Sequence, residues 1–568
     1  MDSVTKSDVV IVGGVAAGPK TAATLMRRNP KVKVTLFQKE EQLSYATCGM
    51  PYFASGDVDN FQKLTLTSYG VVRDAEFFEN TKGFEAVTGA EVLSIDRAKK
   101  IVTVRMITNG TTFEHGYDKL VLATGATAAK VPFSVDDGPN IRTFTSPEDA
   151  ITFRKLAQTG QIEAATIIGG GFIGCEVAEA AGGLWGIETT LIEREDQLLP
   201  YVLDPEMAAL VKAEMIGQGI NVLTGATVEK VAVIDGKATI SVSENEDIDS
   251  DYVFMCLGVK PMTELASGCG LELGSTGGIR VDAQMRTSDP DIFAGGDCVE
   301  SIHQLTGKEV FMPMGSLANR HGRIIAENIV GNDASFPGVL GAFLVKIFDL
   351  NVGAVGLSER AAVADGMDIQ TVWGAFLDKP DYYPENNNVF LKMVYATESR
   401  QLLGLQAVGK GDITRRVDVF SSFLQRKATI NDLLDFEHGY APPYGEALDP
   451  LHHLAGMALA QEKGMEFVGP GEGLVQFANA IWLDVREIAE VEAMPINVGV
   501  DVADLLHIKL GDLKNGLDKI NHDKPILVFC RRGPRSYQAA LQLKTAGFDN
   551  VVVLGGGTTG LPETEEAE

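Results

Sequence analysis

Short apolar runs alternate with glycine-rich loops and helical stretches along the first half of the chain. The run 8–12 leads into the loop 13–18, and the run 165–168 leads into the loop 169–174, about 156 positions further on. The strands that follow the two helical stretches cover 32–37 and 188–192. Because a short apolar run bounded by glycine is typical of a buried strand, the pattern predicts two copies of one strand–loop–helix–strand unit.

The two glycine loops carry the residue types that dinucleotide binding requires. A pyrophosphate must approach bare backbone N–H groups at a helix N-terminus, where a side chain would block it. The second loop matches this fingerprint throughout, and Glu193 stands where an acid accepts the ribose hydroxyls, which favours NADH. Arg194 beside it keeps NADPH possible. In the first loop Val15 replaces the middle glycine, and Gln38 can hydrogen-bond a ribose but without charge.

The composition restricts the class of protein. At roughly 150 residues per domain the 568 residues predict about four domains. A net charge of −28 makes nucleic acid and anionic lipid improbable partners. No apolar run reaches the ~18 residues of a membrane span, and the first residues lack the pattern of an export signal. Six scattered cysteines indicate a reducing compartment, so we expect a cytoplasmic protein.

A second α/β pattern begins after the glycine-rich segment 463–473, which we interpret as a linker. Strands are predicted at 481–486, 525–529 and 551–554, with a helix at 537–546. Cys530 lies between the second strand and the helix, in a loop that also contains Arg531, Arg532 and Arg535. A loop that wraps backbone N–H groups around a sulfur at a helix N-terminus stabilises a thiolate and a persulfide. Cys530 is therefore expected to carry sulfane sulfur.

Further motifs follow the glycine loops in a fixed order along the chain. They are Leu120–Ala126, Phe254–Pro261 and Thr287–Cys298, and the last contains Asp297. With them the sequence resembles the pyridine nucleotide–disulfide oxidoreductase family over residues 8–455, and residues 474–562 resemble a rhodanese domain. The resemblance implies an α/β protein with two interleaved Rossmann-like domains for FAD and NAD(P)H, an α+β dimerisation domain and a small α/β rhodanese domain.

The resemblance also predicts the domain boundaries. The segments are 1–148 (FAD domain, first part), 149–272 (NAD(P)H domain), 273–335 (FAD domain, second part), 336–462 (dimerisation domain), 463–473 (linker), 474–562 (rhodanese domain) and 563–568 (acidic tail).

A single redox cysteine distinguishes this chain from the two-cysteine members of the family. The segment 44–52 contains Cys48 and no Cys-x4-Cys pair, which excludes a dithiol mechanism. It resembles the coenzyme A-disulfide reductase branch. A thiolate at Cys48 can attack a sulfur–sulfur bond, and electrons from NADH passing through the flavin can then release it. Tyr440 and Tyr444 lie in a segment that resembles the one which, in this family, reaches the active cysteine of the partner subunit in a homodimer.

The residues expected to bind cofactors follow from the loops and from the resemblance. For FAD they are Gly13, Val15, Ala16, Ala17, Gly18, Gln38, Lys39, Thr124, Gly125 and Asp297. For NAD(P)H they are Gly169, Gly171, Phe172, Ile173, Gly174, Glu176, Glu193 and Gly258. For coenzyme A they are Lys20, Arg27, Ser44 and Arg73. We predict no metal site, since His452 and His453 have no ligand partner at suitable spacing.

Sulfur–sulfur bonds are the chemistry that both halves of the chain share. The leading hypothesis is NAD(P)H-dependent reduction of polysulfide or sulfur, coenzyme A persulfide or coenzyme A disulfide, with catalytic roles for Cys48, Cys530, Tyr444, Tyr440 and Arg535. One alternative is an NADH oxidase or peroxidase in which Cys48 cycles through a sulfenic acid. Another is a flavin redox sensor or sulfur carrier that does not turn over rapidly.

Overall fold

The computed structural model describes residues 5–496 and 504–561. Residues 1–4 and the predicted acidic tail 563–568 lie outside the described residues, as does the last residue of the predicted rhodanese domain.

The strands follow in chain order. They are β1 Thr5–Val12, β2 Val34–Phe37, β3 Glu85–Val87, β4 Ala90–Asp96, β5 Ile101–Met106, β6 Thr112–Leu122, β7 Ala126–Ala128, β8 Ser134–Val135, β9 Ile141–Arg142, β10 Ala164–Ile168, β11 Glu188–Ile192, β12 Asn221–Leu223, β13 Val228–Ile234, β14 Lys237–Val242, β15 Ile248–Ser250, β16 Tyr252–Met255, β17 Val259–Pro261, β18 Ile292–Ala294, β19 Ser301–Ile302, β20 Glu309–Val310, β21 Phe343–Ile347, β22 Leu350–Gly356, β23 Ile369–Leu377, β24 Asn388–Ala396, β25 Leu402–Gly409, β26 Glu466–Val468, β27 Ile481–Asp484, β28 Leu505–His507, β29 Ile526–Phe529 and β30 Val551–Leu554.

The α-helices interleave with these strands. They are α1 Ala17–Arg28, α2 Met50–Ser55, α3 Ala75–Phe77, α4 Pro147–Gln158, α5 Phe172–Gly182, α6 Pro205–Gly217, α7 Glu264–Gly268, α8 Gly315–Ile329, α9 Glu359–Ala364, α10 Thr414–Gln425, α11 Ile430–Asp435, α12 Pro450–Glu462, α13 Pro470–Gln476, α14 Ile488–Ala493 and α15 Pro534–Thr545. Among the described helices, none combines the length and the apolar character that crossing a membrane requires.

One compact unit comprises residues 1–191 and 227–339 and contains two parallel cores. Its first sheet has the order β3-β2-β1-β6-β5-β4, with β18 added beside β6. Strands β1, β2, β3, β6 and β18 are parallel, whereas β4 and β5 form an antiparallel extension of β6. Val10, Ile11 and Leu120 are fully buried at its centre. This arrangement brings the ends of β1 and β18 to one edge of the sheet.

The second core of this unit repeats the same plan. Strands β11, β10, β16 and β9 lie in that order, and β10 pairs in parallel with β16, with Ile167 opposite Phe254. The same unit also contains a smaller sheet, with its strands in the order β15-β14-β13-β8. The predicted strand at 188–192 coincides with β11, and the predicted run 165–168 lies within β10. The repeat that the sequence predicts is present.

The other compact unit comprises residues 192–226 and 340–568 and contains two further sheets. The first is antiparallel, in the order β21-β22-β25-β24-β23, and α10 and α12 accompany it. The second is parallel, in the order β26-β30-β29-β27-β28. Together with the two parallel cores described above, these sheets confirm the predicted fold class, with an α+β domain followed by a small α/β domain.

The segment 463–473 differs from the linker that its glycines predict. It contains β26, which pairs in parallel with β30, with Phe467 opposite Val553, and it also contains the first residues of α13. The segment is therefore the edge strand of the C-terminal sheet. Its partner strand lies far along the sequence, so the local glycine content gave no sign of the pairing.

Candidate active sites around Cys48 and Cys530

The first glycine loop is a tight strand-to-helix turn between β1 and α1. Gly13 has φ +109°, and a Cβ there would lie 2.0 Å from the carbonyl oxygen of Ala123. A Cβ on Gly18 would lie 1.9 Å from the carbonyl oxygen of Gly13. Val15 and Ala16 complete the loop, and α1 begins at Ala17. Only glycine fits at the two outer positions, so the loop can bring its backbone N–H groups close to a ligand.

Gln38 lies at this loop, as predicted. It is buried, its Oε1 accepts a hydrogen bond of 2.6 Å from the Gly14 N–H, and its amide nitrogen donates to the Glu40 carboxylate. Glu40, which the sequence reasoning missed, is exposed and holds the Gln38 amide in place. It lies two residues after the position of the expected acid. Lys39 points its ammonium to Glu91, at 3.0 Å.

Asp297 and the Thr124–Gly125 turn come together around the same loop. A Cβ on Gly296 would lie 3.2 Å from the Cβ of Ala17, so the turn before Asp297 packs on the start of α1. Burial raises the pKa of Asp297, and a hydrogen bond from the Met314 backbone only partly offsets this effect. Thr124 Oγ1 donates to the carbonyl oxygen of Met262 at 2.6 Å. A partly buried carboxyl group next to a bare glycine cradle fits the hydroxyl and phosphate groups of FAD.

The second glycine loop has the same construction between β10 and α5. Gly169 has φ +110°, and a Cβ there would lie 2.4 Å from the Cys256 carbonyl oxygen. A Cβ on Gly174 would lie 1.8 Å from the Gly169 carbonyl oxygen. Around Gly171, by contrast, no described atom lies within 4 Å of such a Cβ. Gly171 is the N-cap of α5, and Phe172 and Ile173 form its first turn. Gly258, with φ +88°, follows β16.

Because the space around Gly171 is open, replacing this glycine with alanine is predicted to weaken NADH binding without impairing folding. Gly171→Ala fits the unliganded loop, but its methyl group occupies the space through which a pyrophosphate reaches the N–H groups of α5. We expect the NADH dissociation constant, measured by fluorescence titration, to rise about tenfold or more, which corresponds to ~1.4 kcal/mol. The melting temperature should stay unchanged.

Gly217→Ala provides the matched control. It too has no described atom within 4 Å of the added Cβ, and it lies at the end of α6, outside the loop. Its NADH affinity should equal that of the unmodified protein. Equal affinity of the Gly171→Ala variant would contradict the assignment of this loop to the nucleotide.

Glu176 lies in the first turns of α5 and has an unusual protonation equilibrium. Burial raises its pKa from 4.5 to about 7, and the charge of Glu179 adds to the shift. Tyr52, on α2, has a pKa raised to about 12 by burial and then by the negative charges of Glu176, Glu179 and Cys48. The Tyr52 hydroxyl therefore stays protonated and is close enough to both Glu176 and Cys48 to respond to their charge. Sequence reasoning missed Tyr52, although it belongs to the quoted cysteine motif.

The raised pKa of Glu176 predicts a pH-dependent stability. Between pH 4.5 and about 7 the folded protein keeps a proton that the unfolded chain has lost, so stability falls as the pH rises through this range. At pH 8 the ionised side chain costs the folded state about 3 kcal/mol. Glu176→Gln should therefore raise the melting temperature at pH 8 and leave it unchanged at pH 4.

Glu179→Gln serves as the comparison variant for Glu176→Gln. It removes the charge that adds to the shift while Glu176 stays buried, so it should raise the melting temperature at pH 8 by less than Glu176→Gln does. An identical pH–stability curve for the protein and Glu176→Gln would contradict the raised pKa.

Cys48 is solvent-exposed and lies in a short 3₁₀ turn, Thr47–Gly49, that leads into α2. A Cβ on Gly315, the first residue of α8, would lie 3.8 Å from its Sγ. The start of this long helix, where N–H groups carry partial positive charge, therefore lies close to the sulfur. Arg154, buried on α4, donates to the carbonyl oxygens of Phe53 at 2.7 Å and Asp59 at 2.9 Å and thereby fixes α2.

The residues expected to bind coenzyme A fall into two groups. Ser44 has φ +48°, and its Oγ lies 3.5 Å from Arg73 Nη1. Arg73 also donates to the carbonyl oxygens of Leu64 at 2.8 Å and Thr65 at 3.1 Å, so most of its hydrogen-bonding capacity supports the loop before the cysteine. Lys20 and Arg27 lie on α1, where Arg27 donates to Thr24 Oγ1 at 2.9 Å.

The other compact unit contains Glu193, Tyr440 and Tyr444, besides the residues around Cys530. Glu193 directly follows β11, and its Oε1 accepts a hydrogen bond of 2.9 Å from the Glu195 N–H. Tyr440 and Tyr444 are exposed, and Tyr440 lies close enough to Tyr382 to raise the pKa of its hydroxyl. Exposed tyrosines in a loop that contains two prolines are available to a partner molecule.

Cys530 is buried at the start of α15, with 1% of its surface exposed. The Gly533 N–H donates to its Sγ at 3.1 Å, and the Ser536 Oγ lies 3.6 Å from the sulfur. Ser536 donates in turn to the Gly533 carbonyl oxygen at 2.7 Å and is fully buried. The loop thus directs the Gly533 N–H at the sulfur, as expected for a thiolate or persulfide, while the Ser536 hydroxyl uses its hydrogen to hold the loop. Ser536 was missed, although it follows Arg535 directly.

Arg535 hydrogen-bonds Cys530 and is held by a second partner, Glu490. Its Nη2 lies 2.7 Å from Glu490 Oε1, and its Nη1 pairs with the other carboxylate oxygen. This bond lowers the pKa of Glu490 to about 2. The hydrogen bonds to Glu490 and to Cys530 raise the pKa of Arg535. Nothing in the local sequence pointed to Glu490, which lies on α14, far from the cysteine loop in the chain.

Comparison with known proteins gives consistent matches along the whole chain. The profile of the pyridine nucleotide-disulphide oxidoreductases matches residues 7–311, that of their dimerisation domain matches 343–452, and that of rhodanese-like domains matches 472–562. The structure is similar to a NAD-dependent persulfide reductase from A. fulgidus, with a TM-score of 0.92 and 38% identity over 97% of this chain and 99% of that one.

Two curated relatives match the chain without its last domain. An NAD(P)H sulfur oxidoreductase (CoA-dependent) from Pyrococcus furiosus is 34% identical over 452 residues, which are 79% of this chain and 98% of the relative. An NADH oxidase from Methanocaldococcus jannaschii is 31% identical over 451 residues, with the same coverage of 79% and 98%.

Proposed function

This chain belongs to the pyridine nucleotide-disulphide oxidoreductase family, and from that premise we propose that it is an FAD-dependent enzyme that uses NAD(P)H to reduce sulfur–sulfur bonds at Cys48. The proposed substrates are polysulfide or sulfur, coenzyme A persulfide and coenzyme A disulfide. The observation that carries the proposal is the single exposed thiol of Cys48 beside the start of α8, in the same compact unit as two glycine cradles.

The two cradles provide the sites for the cofactors. FAD would be held by the loop from Gly13 to Gly18, with Gln38 and Asp297, and NAD(P)H by the loop from Gly169 to Gly174, with Glu193. When bound, FAD supplies the two-electron link between NAD(P)H and sulfur. Glu193 accepts ribose hydroxyls in this proposal, which favours NADH.

Cys48 performs the sulfur chemistry in the proposed reaction. Its thiolate attacks one sulfur of coenzyme A disulfide, forms a mixed disulfide and releases one coenzyme A thiolate. Two electrons from NADH then break the mixed disulfide, restore the Cys48 thiolate and release the second thiol. The balance is one disulfide, one NADH and one proton converted to two thiols and NAD⁺. With polysulfide the Cys48 thiolate takes one sulfur as a persulfide and releases a polysulfide shorter by one sulfur, and two electrons from NADH then release that sulfur as sulfide and restore the thiolate.

Neighbouring residues support this step. The start of α8 stabilises the thiolate, and Tyr444 of the partner subunit in a homodimer would donate a hydrogen bond to the leaving sulfur, with Tyr440 beside it. Lys20, Arg27, Ser44 and Arg73 would bind coenzyme A, with Arg73 chiefly shaping the loop. The scattered cysteines support a reducing compartment, the cytoplasm, as the proposed location of the enzyme.

The rhodanese-like domain narrows the substrate class. Cys530 would accept sulfane sulfur as a persulfide, and Arg535 and the loop N–H groups would stabilise its charge. A domain that carries sulfane sulfur has no evident role in oxygen reduction. Its presence therefore supports polysulfide and persulfide reduction as the activity of the intact chain.

Anaerobic NADH oxidation with sulfide detection tests the proposal. The expected result is NADH consumption matched by sulfide with polysulfide, and by thiol with coenzyme A disulfide. Oxygen is the comparison substrate, because one relative is named NADH oxidase. Turnover that occurs only with oxygen or peroxide would replace the proposal with an oxidase that uses a Cys48 sulfenic acid. Absence of turnover with all of these acceptors would indicate a sensor or carrier.

A further inference from the structure

We propose that the dimerisation domain completes the persulfide site of the rhodanese-like domain, with Trp373 as the positioning residue. Trp373 lies on β23 and contacts residues 555–560, which we call the glycine turn. The glycine turn contacts the backbone of the Cys530 loop on its other side. This inference rests on the proposed role of Cys530 and adds the contacts that hold its loop in place.

Trp373 is a rigid support for the turn. It is buried, with 5% of its surface exposed, and its ring stacks on Phe390 with 5.8 Å between the centroids. Its Nε1 donates to the sulfur of Met207 at 3.1 Å. A large aromatic side chain held by packing and by a hydrogen bond has one orientation. The indole therefore presents a fixed surface to whatever packs against it.

The glycine turn is shaped to this surface. A Cβ on Gly556 would lie 2.0 Å from Trp373 Cζ3, and a Cβ on Gly560 would lie 2.3 Å from Cη2. On Gly555 it would lie 2.7 Å from the Trp373 carbonyl oxygen. Only hydrogen atoms fit between the turn and Trp373 at these three positions, of which Gly556 and Gly560 face the indole and Gly555 the backbone. Any side chain there would push the turn away from β23.

The other side of the turn fixes the Cys530 loop. The N–H of Thr558 donates to the Cys530 carbonyl oxygen at 2.8 Å, and the N–H of Thr559 donates to the Arg531 carbonyl oxygen at 3.0 Å. The Thr559 hydroxyl donates to the same oxygen at 2.8 Å. A Cβ on Gly557 would lie 2.1 Å from the Cys530 carbonyl oxygen. The turn therefore holds the carbonyl groups of the first two loop residues, Cys530 and Arg531, by hydrogen bonds and close contact.

The hydrogen bonds from the glycine turn influence the direction of the backbone N–H groups in the Cys530 loop. In a planar trans peptide the carbonyl and the following N–H point in opposite directions, so holding the carbonyls of Cys530 and Arg531 also fixes the N–H groups of the next residues. The Gly533 N–H, which donates to the sulfur, follows in the same short loop. A shift of the glycine turn would change the donors around Cys530 without removing any of them.

A second contact joins the same loop to the dimerisation domain. Arg532 Nη1 lies 3.4 Å from Asp381 Oδ1, and Asp381 precedes Tyr382 on the exposed surface. Burial raises the pKa of Glu446, and the charge of Arg532 opposes that shift, which places Arg532 near Glu446 as well. Because Asp381 is largely exposed, we expect this pair to contribute little compared with Trp373.

Sulfur transfer by the intact protein tests the inference, with thiosulfate and cyanide as probes. Thiosulfate passes its sulfane sulfur to the Cys530 thiolate and leaves as sulfite, and cyanide then takes the sulfur as thiocyanate and restores the thiolate. For Gly556→Ala we expect kcat to fall about 10-fold to 100-fold, with the thiosulfate KM little changed. Alkylation of Cys530 by iodoacetamide, followed by mass spectrometry, should slow in parallel.

Gly547→Ala is the matched control. Gly547 lies in the same domain with φ +91°, comparable to the φ +70° of Gly556, but no described atom lies within 4 Å of its added Cβ. It measures the strain of a positive φ alone and should leave transfer and alkylation near the unmodified values. A loss at Gly547 equal to that at Gly556 would overturn the inference.

Trp373→Phe and Trp373→Ala complete the test. Trp373→Ala should slow transfer and Trp373→Phe should restore part of it. In the Trp373→Ala protein the further change Gly556→Ala should have little effect, because its partner is gone.

Reduction of coenzyme A disulfide at Cys48 reports the folding of each variant. Undiminished alkylation and transfer in Trp373→Ala would refute the inference. Absence of transfer in the unmodified protein would refute the role of Cys530 instead, while the alkylation rates would still test Trp373.

Discussion

Replacing Cys48 with serine is expected to lower NADH-dependent release of sulfide or thiol by about 10³-fold or more. A hydroxyl group is a far weaker nucleophile than a thiolate and cannot form a mixed disulfide, so the sulfur–sulfur bond is left intact. The two glycine cradles and Asp297 are unchanged by the substitution. Bleaching of the flavin by NADH without an acceptor, followed by anaerobic absorbance, should therefore stay within twofold, which separates loss of chemistry from loss of cofactor.

Cys269→Ser provides the control for this substitution. Cys269 lies in the same compact unit, is partly exposed, and burial raises the pKa of its thiol. A thiol with a raised pKa is a poor nucleophile at neutral pH, so its removal should leave the rate unchanged. Sulfide release by Cys48→Ser at the unmodified rate would move the sulfur chemistry to another residue.

The cradles were predictable because their chemistry is local. Each loop stands where a strand turns into a helix, and a Cβ on Gly18 or Gly174 would collide with the carbonyl oxygen of Gly13 or Gly169 in the same loop. The apolar runs beside them have the length and β-branched content of buried strands. A repeat of this pattern within one chain predicted two similar sheets before any long-range contact was known.

The supporting contacts were not predictable because they join distant segments. Glu490 holds Arg535 from another helix, and Trp373 meets the glycine turn from another domain. Strand β26 needs β30 to exist as a strand, so its glycine-rich sequence predicted a linker. No hydrophobic periodicity or sequence motif links Arg535 to Glu490, the glycine turn to Trp373, or β26 to β30. They are also the contacts that fix the geometry of the sites.

Replacing Cys530 with serine is expected to abolish transfer of sulfane sulfur from thiosulfate to cyanide, by about 10³-fold or more. The loop that surrounds the sulfur offers the Gly533 N–H and the charge of Arg535, which stabilise the negative charge of a persulfide. An oxygen at this position cannot accept sulfane sulfur reversibly. Thiocyanate formation measured by its ferric complex gives the rate.

The same variant distinguishes the two cysteines by substrate. Coenzyme A disulfide contains no sulfane sulfur, so its reduction at Cys48 should proceed at the unmodified rate in Cys530→Ser. Sulfide release from polysulfide should weaken, since the domain that accepts its sulfur is inactive. Ser536→Ala keeps the thiol and removes the hydroxyl that donates to the Gly533 carbonyl oxygen and holds the loop beside the sulfur, so transfer should fall by about tenfold rather than vanish. If Cys530→Ser slowed both substrates equally, Cys530 would act on the folding of the protein and not as a carrier, because a carrier of sulfane sulfur affects only the substrate that contains it.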